Sequence, residues 1–504
     1  MRRFHVGNSM SLDRLYTAQE IRLMDRALIV DYGIPGLTLM VRAADAAVAT
    51  ILEAFPEASR FCVLCGSGNN AGDGYLVASK LASKGHDVTL VQVGDIDKLG
   101  PDALSARAHC LSVGLKPRAW DEVLQDTALE VDLYVDALLG LGTSGPPRTP
   151  FDRVIRWLNA MPAPVLALDV PSGLHPDFGR PEGECVQASH TVTFIADKIG
   201  LRCESGPDYA GIVSVCDLGM PADAVEQFKA TGIRRLVARA LPPRSRAAHK
   251  GDFGHVLVIG GDVGMAGAAL LAGEAALRTG AGLVTLATHP YHASALSVYR
   301  PELMVRGVSD AAMLAPLIER ADVVAIGPGL GQSAWSIDLF QRTIGIEQPM
   351  VIDADALNLL ARAPRPMRSA ILTPHPKEAA RLLDHGVVDP DRLAVLDALQ
   401  ARYQCVIVLK GAATLVHDGE TAMVNTLGSP GMASAGMGDA LTGCIAGLVV
   451  QMDTLADAAG QGVAHHGRAG AWAAAELGEA GMLASDVIHR LGRSLRGEGD
   501  AKRS

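Results

Sequence analysis

The chain of 504 residues is 49% hydrophobic, 4% aromatic and 20% charged, with a formal net charge of −10. That length exceeds what one hydrophobic core organises, so two domains are expected, and the acidic balance excludes the footprint of a nucleic-acid or anionic-membrane binder in favour of a small-molecule role. Its eight cysteines, several inside apolar runs (Cys62, Cys405, Cys444), form neither a disulfide framework nor a close-spaced zinc pattern, which points to reduced core residues and a cytoplasmic location.

Thr17-Ala18-Gln19-Glu20 makes a capping box for a helix running toward Ile29, and a second helix is expected over roughly Val41 to Ala54. From Phe61 to about Asp217, short Val/Leu/Ile runs alternate with helical patterns: "FCVLCG", "DVTLVQV", "DLYVDALLG", "PVLALDVPSG", "HTVTFIA" and "GIVSVCDLG". The alternation predicts βαβ units and a parallel sheet covered on both faces. The rhythm breaks at "ARALPPRSRAAHKGDFGH", where Pro242-Pro243 and a basic cluster suggest a boundary, and domains of 1–235 and 236–504 are expected. It restarts with "HVLVIGG", "GLVTLAT", "DVVAIGPGLG", "PMVIDADAL", "AILTPHP" and "CVIVLKG", while Asp418-Gly419 signals a hairpin. The apolar stretches, such as Ile445 to Val450, are too short to span a bilayer, and the basic N-terminus lacks the apolar segment of an export signal.

In a parallel α/β sheet ligands bind beyond the carboxyl ends of the strands, and the polar residues of the first half collect there. "CGSGNNAGDGYLVA" fits the G-x-G-x-x-G/A dinucleotide fingerprint at Gly66, Gly68 and Ala71. Its glycines and a helix starting near Asp73 would suit a pyrophosphate. A hydride-carrier site also needs an acidic residue about 20 positions on, ending the next strand, and that strand ends in Gly94 instead. Asn69, Asn70 and Asp73 offer oxygens that suit a hard cation or a sugar hydroxyl, although each alone is compatible with an Asx turn or a helix cap. Together with Asp136 and Gly140 to Gly145, and with Asp169 to Gly173, they resemble the NAD(P)H-hydrate epimerase domain, a Rossmann-like three-layer α/β/α fold. The matching stretches are "YTAQEIRLMDRALIVDYGIPGLTLM", "GSGNNAGDG", "VDALLGLGTSG", "LALDVPSG" and "TVTFIADKIGL". The resemblance implies that Asn69, Asn70, Ala71, Gly72 and Asp73 contact the hydrated nucleotide. It implies the same for Asp169 and for the loop of Gly140, Leu141, Gly142, Thr143, Ser144, Gly145 and Pro146. It further implies potassium held by Asn70, Asp136 and Ser172. Asp169 is then the candidate acid/base, with Lys198 second, against the reading of Lys198 as a surface lysine.

In the second half, Gly436-Met437-Gly438-Asp439 sits where a loop becomes a helix running through Val450, so backbone N–H groups offer an anion hole beside a carboxylate. That arrangement suits activation of a hydroxyl against a phosphoryl group, although Asp439 as a plain helix cap is the alternative. Lys410-Gly411-Ala412-Ala413-Thr414 follows a strand and offers a cation and open backbone to nucleotide phosphates. Asp353, Asp355 and His375 also end strands at that edge. With "HKGDFGHVLVIGGDVGMAGAALLAGEAALRTGAGLV", "IGPGLG", "VIDADALN", "LTPHPKE", "LKGAATLV" and "GMASAGMGDALTG", the half resembles the ribokinase-like NAD(P)H-hydrate dehydratase domain. Family members commonly carry Thr where Met437 stands.

The two resemblances together imply a bifunctional repair enzyme for hydrated NADH and NADPH (NADHX and NADPHX). One domain would interconvert the R and S epimers; the other would dehydrate the S form with ADP, ATP being possible, to give NAD(P)H, AMP and phosphate. Lys410, Gly411, Ala412, Ala413, Thr414 and Gly438 would hold the adenine nucleotide, with Mg2+ in that domain. Ala268, Gly329, His375 and Asp439 would face the hydrate, Asp439 as the base. A homo-oligomer without nucleic-acid or membrane partners is expected. A ribokinase-like small-molecule kinase fused to a nucleotide-binding module is the alternative enzyme, and a nucleotide sensor the non-enzymatic one.

Overall fold

The computed structural model describes residues 14–126, 128–142, 145–229 and 231–497. The chain divides into two compact units, Met1–Arg234 and Arg235–Ser504. The stretch around Pro242-Pro243 belongs to the second unit: Leu236 and Ala238 join its core, and the N–H of Leu241 donates to the carbonyl of Leu495 at 2.8 Å.

Unit 1 opens with β1 (Arg14–Leu15), continues through β2 (Arg60–Cys65), β3 (Asp87–Gln92), β4 (Arg118–Ala119), β5 (Leu133–Ala137), β6 (Val165–Leu168), β7 (His190–Phe194) and β8 (Ile212–Cys216), and closes on β9 (Ile233–Arg235). Its main sheet has the order β4-β3-β2-β5-β6-β7-β8, with every neighbouring pair parallel. The inner strands β5, β6 and β7 are buried along their whole length, and β6, Val-Leu-Ala-Leu, accordingly reads as an unbroken apolar run. The chain builds outward from β2 to β4, then returns to β5 on the other side of β2. That reversal opens a crevice at the carboxyl ends of β2 and β5. The capping box at Thr17 is present: the N–H of Glu20 donates to Thr17 Oγ1 (3.2 Å) and the N–H of Thr17 to Glu20 Oε2 (2.7 Å). Glu20 Oε1 also accepts from the N–H of Gly232 at 2.8 Å, tying the first helix, Ala18–Val30, to the end of the unit where β1 pairs antiparallel with β9. The second helix runs from Gly36 to Ala54, starting five residues before the expected Val41.

Unit 2 contains β10 (His255–Ile259), β11 (Leu283–Thr288), β12 (Met304–Gly307), β13 (Val323–Ile326), β14 (Met350–Ile352), β15 (Ala370–Leu372), β16 (Val406–Leu409), β17 (Leu415–His417) and β18 (Ala422–Val424). Their order is β18-β17-β16-β15-β14-β13-β10-β11-β12, and β10 to β16 are mutually parallel. The strands β17 and β18 form the antiparallel hairpin signalled by Asp418-Gly419, where Asp418 Oδ1 accepts from the N–H of Glu420 and of Thr421. The reversal point lies between β10 and β13, and Asp353, His375 and Lys410 follow the ends of β14, β15 and β16, the next three strands on that side. All eight cysteines are unpaired. Among the described residues no helix is long and apolar enough to cross a membrane.

Candidate active sites

The crevice of unit 1 is a cavity of about 1010 Å³ whose wall includes Asn69, Asn70 and Asp73, then Gly140 to Gly142, then Asp169. The helix after β2 begins at Asn69, with Gly68 as N-cap, rather than near Asp73. The two asparagines are therefore its first residues and Asp73 lies one turn in. Gly66 is required by contact, because a Cβ there would stand 1.8 Å from the carbonyl oxygen of Leu138. Ala71 is fully buried in the core and Gly72 packs against Met40 and Ala103, so these two support the loop from behind. Gly145 donates to Glu182 Oε2 at 3.0 Å and Pro146 packs near Gly183, neither being part of the cavity wall. Thr143 and Ser144 lie outside the described residues.

Asp169 sits just past β6 with φ of +67°, a left-handed conformation uncommon for a residue other than glycine. Lys198 Nζ donates to its Oδ1 at 2.7 Å, and the N–H of Phe194 donates to the same oxygen at 3.2 Å. Lys198 is no surface lysine: it is fully buried. Its ammonium also donates to Thr193 Oγ1 (2.7 Å) and to the carbonyl of Phe194 (3.0 Å). The segment carrying it is clamped by Tyr16, whose N–H donates to the carbonyl of Asp197 and whose carbonyl accepts from Ile199. A buried ammonium needs such partners, and it holds the Asp169 carboxylate in one orientation facing the cavity. Two more carboxylates stand on the same wall, Asp73, which was expected, and Asp25, which sequence reading did not single out. Burial pushes both up, Asp73 well above the usual carboxylate range, and the neighbouring Asp169 adds to each shift.

Asn70, Asp136 and Ser172, from three separate strand ends, meet around one peptide. Asn70 Nδ2 donates to the carbonyl of Leu139 at 2.9 Å, and the N–H of Leu139 donates to Ser172 Oγ at 2.9 Å. Ser172 Oγ in turn donates to Asp136 Oδ1 at 2.7 Å, and the N–H of Ser172 donates to Oδ2 at 2.8 Å. Burial raises the fully buried Asp136 to about 6, against these hydrogen bonds. Asn70 Oδ1 is buried with no hydrogen-bond partner among the described residues. An orphaned amide oxygen beside a buried carboxylate and a hydroxyl is a donor set of the kind a weakly hydrated cation takes.

In unit 2, Gly436 is the N-cap of the helix Met437–Val449, in a left-handed conformation (φ +88°). Asp439 is therefore not the cap but the third helical residue, in the first turn. Burial, then the carboxylate of Asp353, raises it to about 7 despite the opposing pull of Lys410. Lys410 Nζ donates to Asp353 Oδ1 at 2.6 Å and stands 3.8 Å from Glu378 Oε2. Burial alone would lower its pKa, but Asp353 and Glu378 outweigh that and raise it. The second oxygen of Asp353 accepts from Thr442 Oγ1 at 2.7 Å. Asp353 is thus a buried anchor for Lys410 rather than a turn residue, whereas Asp355 holds the glycine loop after β13 by accepting from the N–H of Gly331 at 2.8 Å.

His375 N-caps the helix Pro376–Leu382: its Nδ1 accepts from the N–H of Lys377 and of Glu378, and Glu378 returns the bond to the N–H of His375 at 2.7 Å. Burial, then Lys410, lowers the His375 pKa. That suits a neutral ring whose remaining proton is on Nε2, 3.4 Å from Glu378 Oε1. Burial raises Glu378 to about 7. The signal for Glu378 was present in "HPKE" as a capping box, but its burial was not. Gly438 faces Lys410 Nζ and Asp353, and Ala268 lies against Gly329, a Cβ on which would stand 3.0 Å from the Ala268 Cβ. Ala412, Ala413 and Thr414 continue the loop after Lys410, and Thr414 Oγ1 donates to the carbonyl of Gly411 at 3.3 Å.

Two doubly wound α/β units, each with a carboxylate beside glycine loops and a helix N-terminus, have the architecture of a nucleotide-handling enzyme with two sites. The sequence family described as YjeF-related protein N-terminus matches residues 36–200, and that described as NAD(P)H-hydrate dehydratase matches residues 256–493. The chain is 45% identical over 484 residues to the bifunctional NAD(P)H-hydrate repair enzyme Nnr of Coxiella burnetii, covering 95% of this chain and 98% of that one. It is 41% identical to the Escherichia coli enzyme of the same name, covering 96% and 94%. A solved ADP/ATP-dependent NAD(P)H-hydrate dehydratase from Bacillus subtilis, co-crystallized with ATP/Mg2+, aligns at a TM-score of 0.46 with 28% identity, over 51% of this chain and 94% of that one. The chain belongs to the family of bifunctional NAD(P)H-hydrate repair enzymes.

Proposed function

We propose that unit 1 interconverts the two epimers of hydrated NADH or NADPH and that unit 2 dehydrates the S epimer with ADP, releasing AMP, phosphate and the repaired cofactor. What carries this reading is family membership across both halves, with each half holding a candidate carboxylate beside its glycine loops. The same membership favours repair over the kinase and sensor alternatives.

In unit 1 the hydrate occupies the cavity bounded by Asn69, Asn70, Asp73 and Gly140 to Gly142. Asp169, aimed by Lys198, moves the proton as a bond to the hydroxyl-bearing ring carbon breaks and re-forms with the opposite configuration. The orphaned Asn70 Oδ1, Asp136 and Ser172 fit potassium, which would supply positive charge behind the loops that meet the substrate.

In unit 2 Asp439 accepts the proton of the ring hydroxyl as that oxygen attacks the terminal phosphoryl group of the nucleotide. The helix-start N–H groups at Gly438 and the Lys410 ammonium balance the charge that develops. Phosphate then leaves with the electron pair of its C–O bond as the neighbouring ring carbon loses a proton, and the ring double bond returns, a route that spares the enzyme from expelling hydroxide. Lys410 to Thr414 hold the adenine nucleotide, with Ala268, Gly329 and His375 on the hydrate side. Magnesium has no comparable cradle: Asp353 is taken by Lys410 and Thr442, and no group of three His, Cys, Asp or Glu is arranged for a metal among the described residues. No protein ligand to magnesium is assigned, in keeping with an ion that enters on nucleotide phosphates.

The test is recovery of the near-ultraviolet absorbance of reduced nicotinamide from racemic hydrate, with ADP and ATP separately and with potassium or sodium. Full recovery with a nucleotide supports both activities. Recovery stopping at half supports the dehydratase alone, and an accumulating phosphorylated product sinks the lyase reading.

A further inference from the structure

Arg392 is a buried arginine, 7% exposed, at the first position of the helix Arg392–Tyr403, which Asp391 caps by accepting from the N–H of Ala394. The positive end of a helix dipole is an unfavourable place for a cation. The guanidinium is balanced instead by the loop that follows β16. Its Nη1 donates to the carbonyls of Ala412 (2.8 Å) and Ala413 (3.0 Å), and its Nη2 to those of Leu409 (3.1 Å) and Lys410 (3.3 Å). One planar fork thus gathers four carbonyl oxygens of a five-residue stretch.

In a trans peptide the C=O and the following N–H point in opposite directions. Turning the carbonyls of Lys410, Ala412 and Ala413 toward Arg392 therefore turns the N–H groups of Gly411, Ala413 and Thr414 away from it. None of these three N–H groups has a protein acceptor among the described residues. The loop holds this shape at some cost: Ala413 has φ of +60°. Gly411, at φ +149°, has a backbone conformation strained for any side chain, and a Cβ there would stand 2.9 Å from Arg392 Nη2. Successive free amides in such a conformation form a concavity for an anion.

We infer that Arg392 is the positioning residue of the nucleotide site: by gathering the carbonyls of 409–413 it aims the amides of Gly411, Ala413 and Thr414 at the diphosphate oxygens of the adenine nucleotide. This rests on the proposed binding of nucleotide at Lys410 to Thr414 and adds the device that shapes that loop. Arg392 touches neither nucleotide nor hydrate, and its effect belongs in nucleotide affinity rather than in the chemical step.

The experiment titrates the full chain with ADP and with adenosine, and measures KM for ADP, KM for the hydrate and kcat, in wild type, R392Q and R392K. The expected result for R392Q is a rise of about tenfold or more in the ADP Kd and KM, with the adenosine Kd, hydrate KM and kcat within about twofold, since only the phosphate donors are misaimed. R392K keeps the charge without the planar fork and should fall between. Unchanged ADP affinity in a folded R392Q, or equal losses for ADP and adenosine, would overturn the inference; if R392Q does not fold, R392K is judged by the same two criteria. A wild type that binds no ADP overturns the nucleotide assignment itself, and this inference with it.

Discussion

The two units hold their proposed acid/base carboxylates, one just past a strand and one in the first turn of a helix, in opposite ways. In unit 1 Asp169 is paired directly with a fully buried ammonium at 2.7 Å. In unit 2 the ammonium of Lys410 is paired with Asp353, and Asp439, the proposed base, has no ion-pair partner among the described residues, its pKa lifted to about 7. A carboxylate locked by an ion pair is fixed in position, whereas one held near neutrality is a stronger base toward a hydroxyl and can be reprotonated after each turnover. The contrast fits reversible epimerisation on one side and a committed phosphoryl transfer on the other.

The sharpest way to break the comparison is to remove each carboxylate in turn. D439N should lower dehydration by about 10²–10⁴-fold while leaving interconversion of the epimers intact, and D169N should do the reverse. Resolving the two epimers by chromatography checks both, and a single substitution that abolishes both reactions sinks the division of labour.

Next in size is the loss of Lys410. K410M leaves Asp353 buried beside Glu378 without its cation, which should destabilise unit 2 by about 3–5 kcal/mol. Differential scanning calorimetry should show only the transition of unit 2 moving; no shift would mean that the buried pair is not what holds the edge together.

The pH dependence separates the sites more gently. Asp439 must be deprotonated to act as base, so kcat/KM for dehydration should fall about tenfold per unit below pH about 7. Because Asp439 and Glu378 are both raised to about 7, folded unit 2 keeps protons that the unfolded chain has released. Their contribution to stability is therefore full at low pH and declines between pH about 4 and about 7. In D439N the decline should be shallower, and an unaltered stability profile would remove Asp439 from the titration.

The smallest effect is expected from exchanging potassium for sodium. Epimerisation should slow several-fold and dehydration stay unchanged, because Asn70, Asp136 and Ser172 belong to unit 1 alone. Equal slowing of both reactions would point away from that cradle.

Much of this was legible in the residues. The capping box at Thr17 and the apolar runs that became β2, β3, β5 to β8, β10, β11 and β13 to β16 follow from rules that act over a few residues. The two misplaced helix starts were local misreadings, decided by the residue just before each helix. The helix Gly36–Ala54 starts early because Pro35 can precede a helix, and the helix after β2 begins at Asn69 because Gly68 supplies its cap.

The sequence by itself determined the two α/β halves, the family resemblance and the residue types at the strand ends, since periodicity, glycine loops and motif spacing are local properties of a chain. Only the tertiary structure decided that Asn70, Asp136 and Ser172 meet at Leu139, that Lys198 lies buried behind Asp169, and that Arg392 reaches four carbonyls of the loop after β16. Those facts depend on which strand ends become neighbours and on how much water is removed around a charge. Packing sets both, across separations such as the 57 residues between Lys410 and Asp353, and no spacing rule spans them.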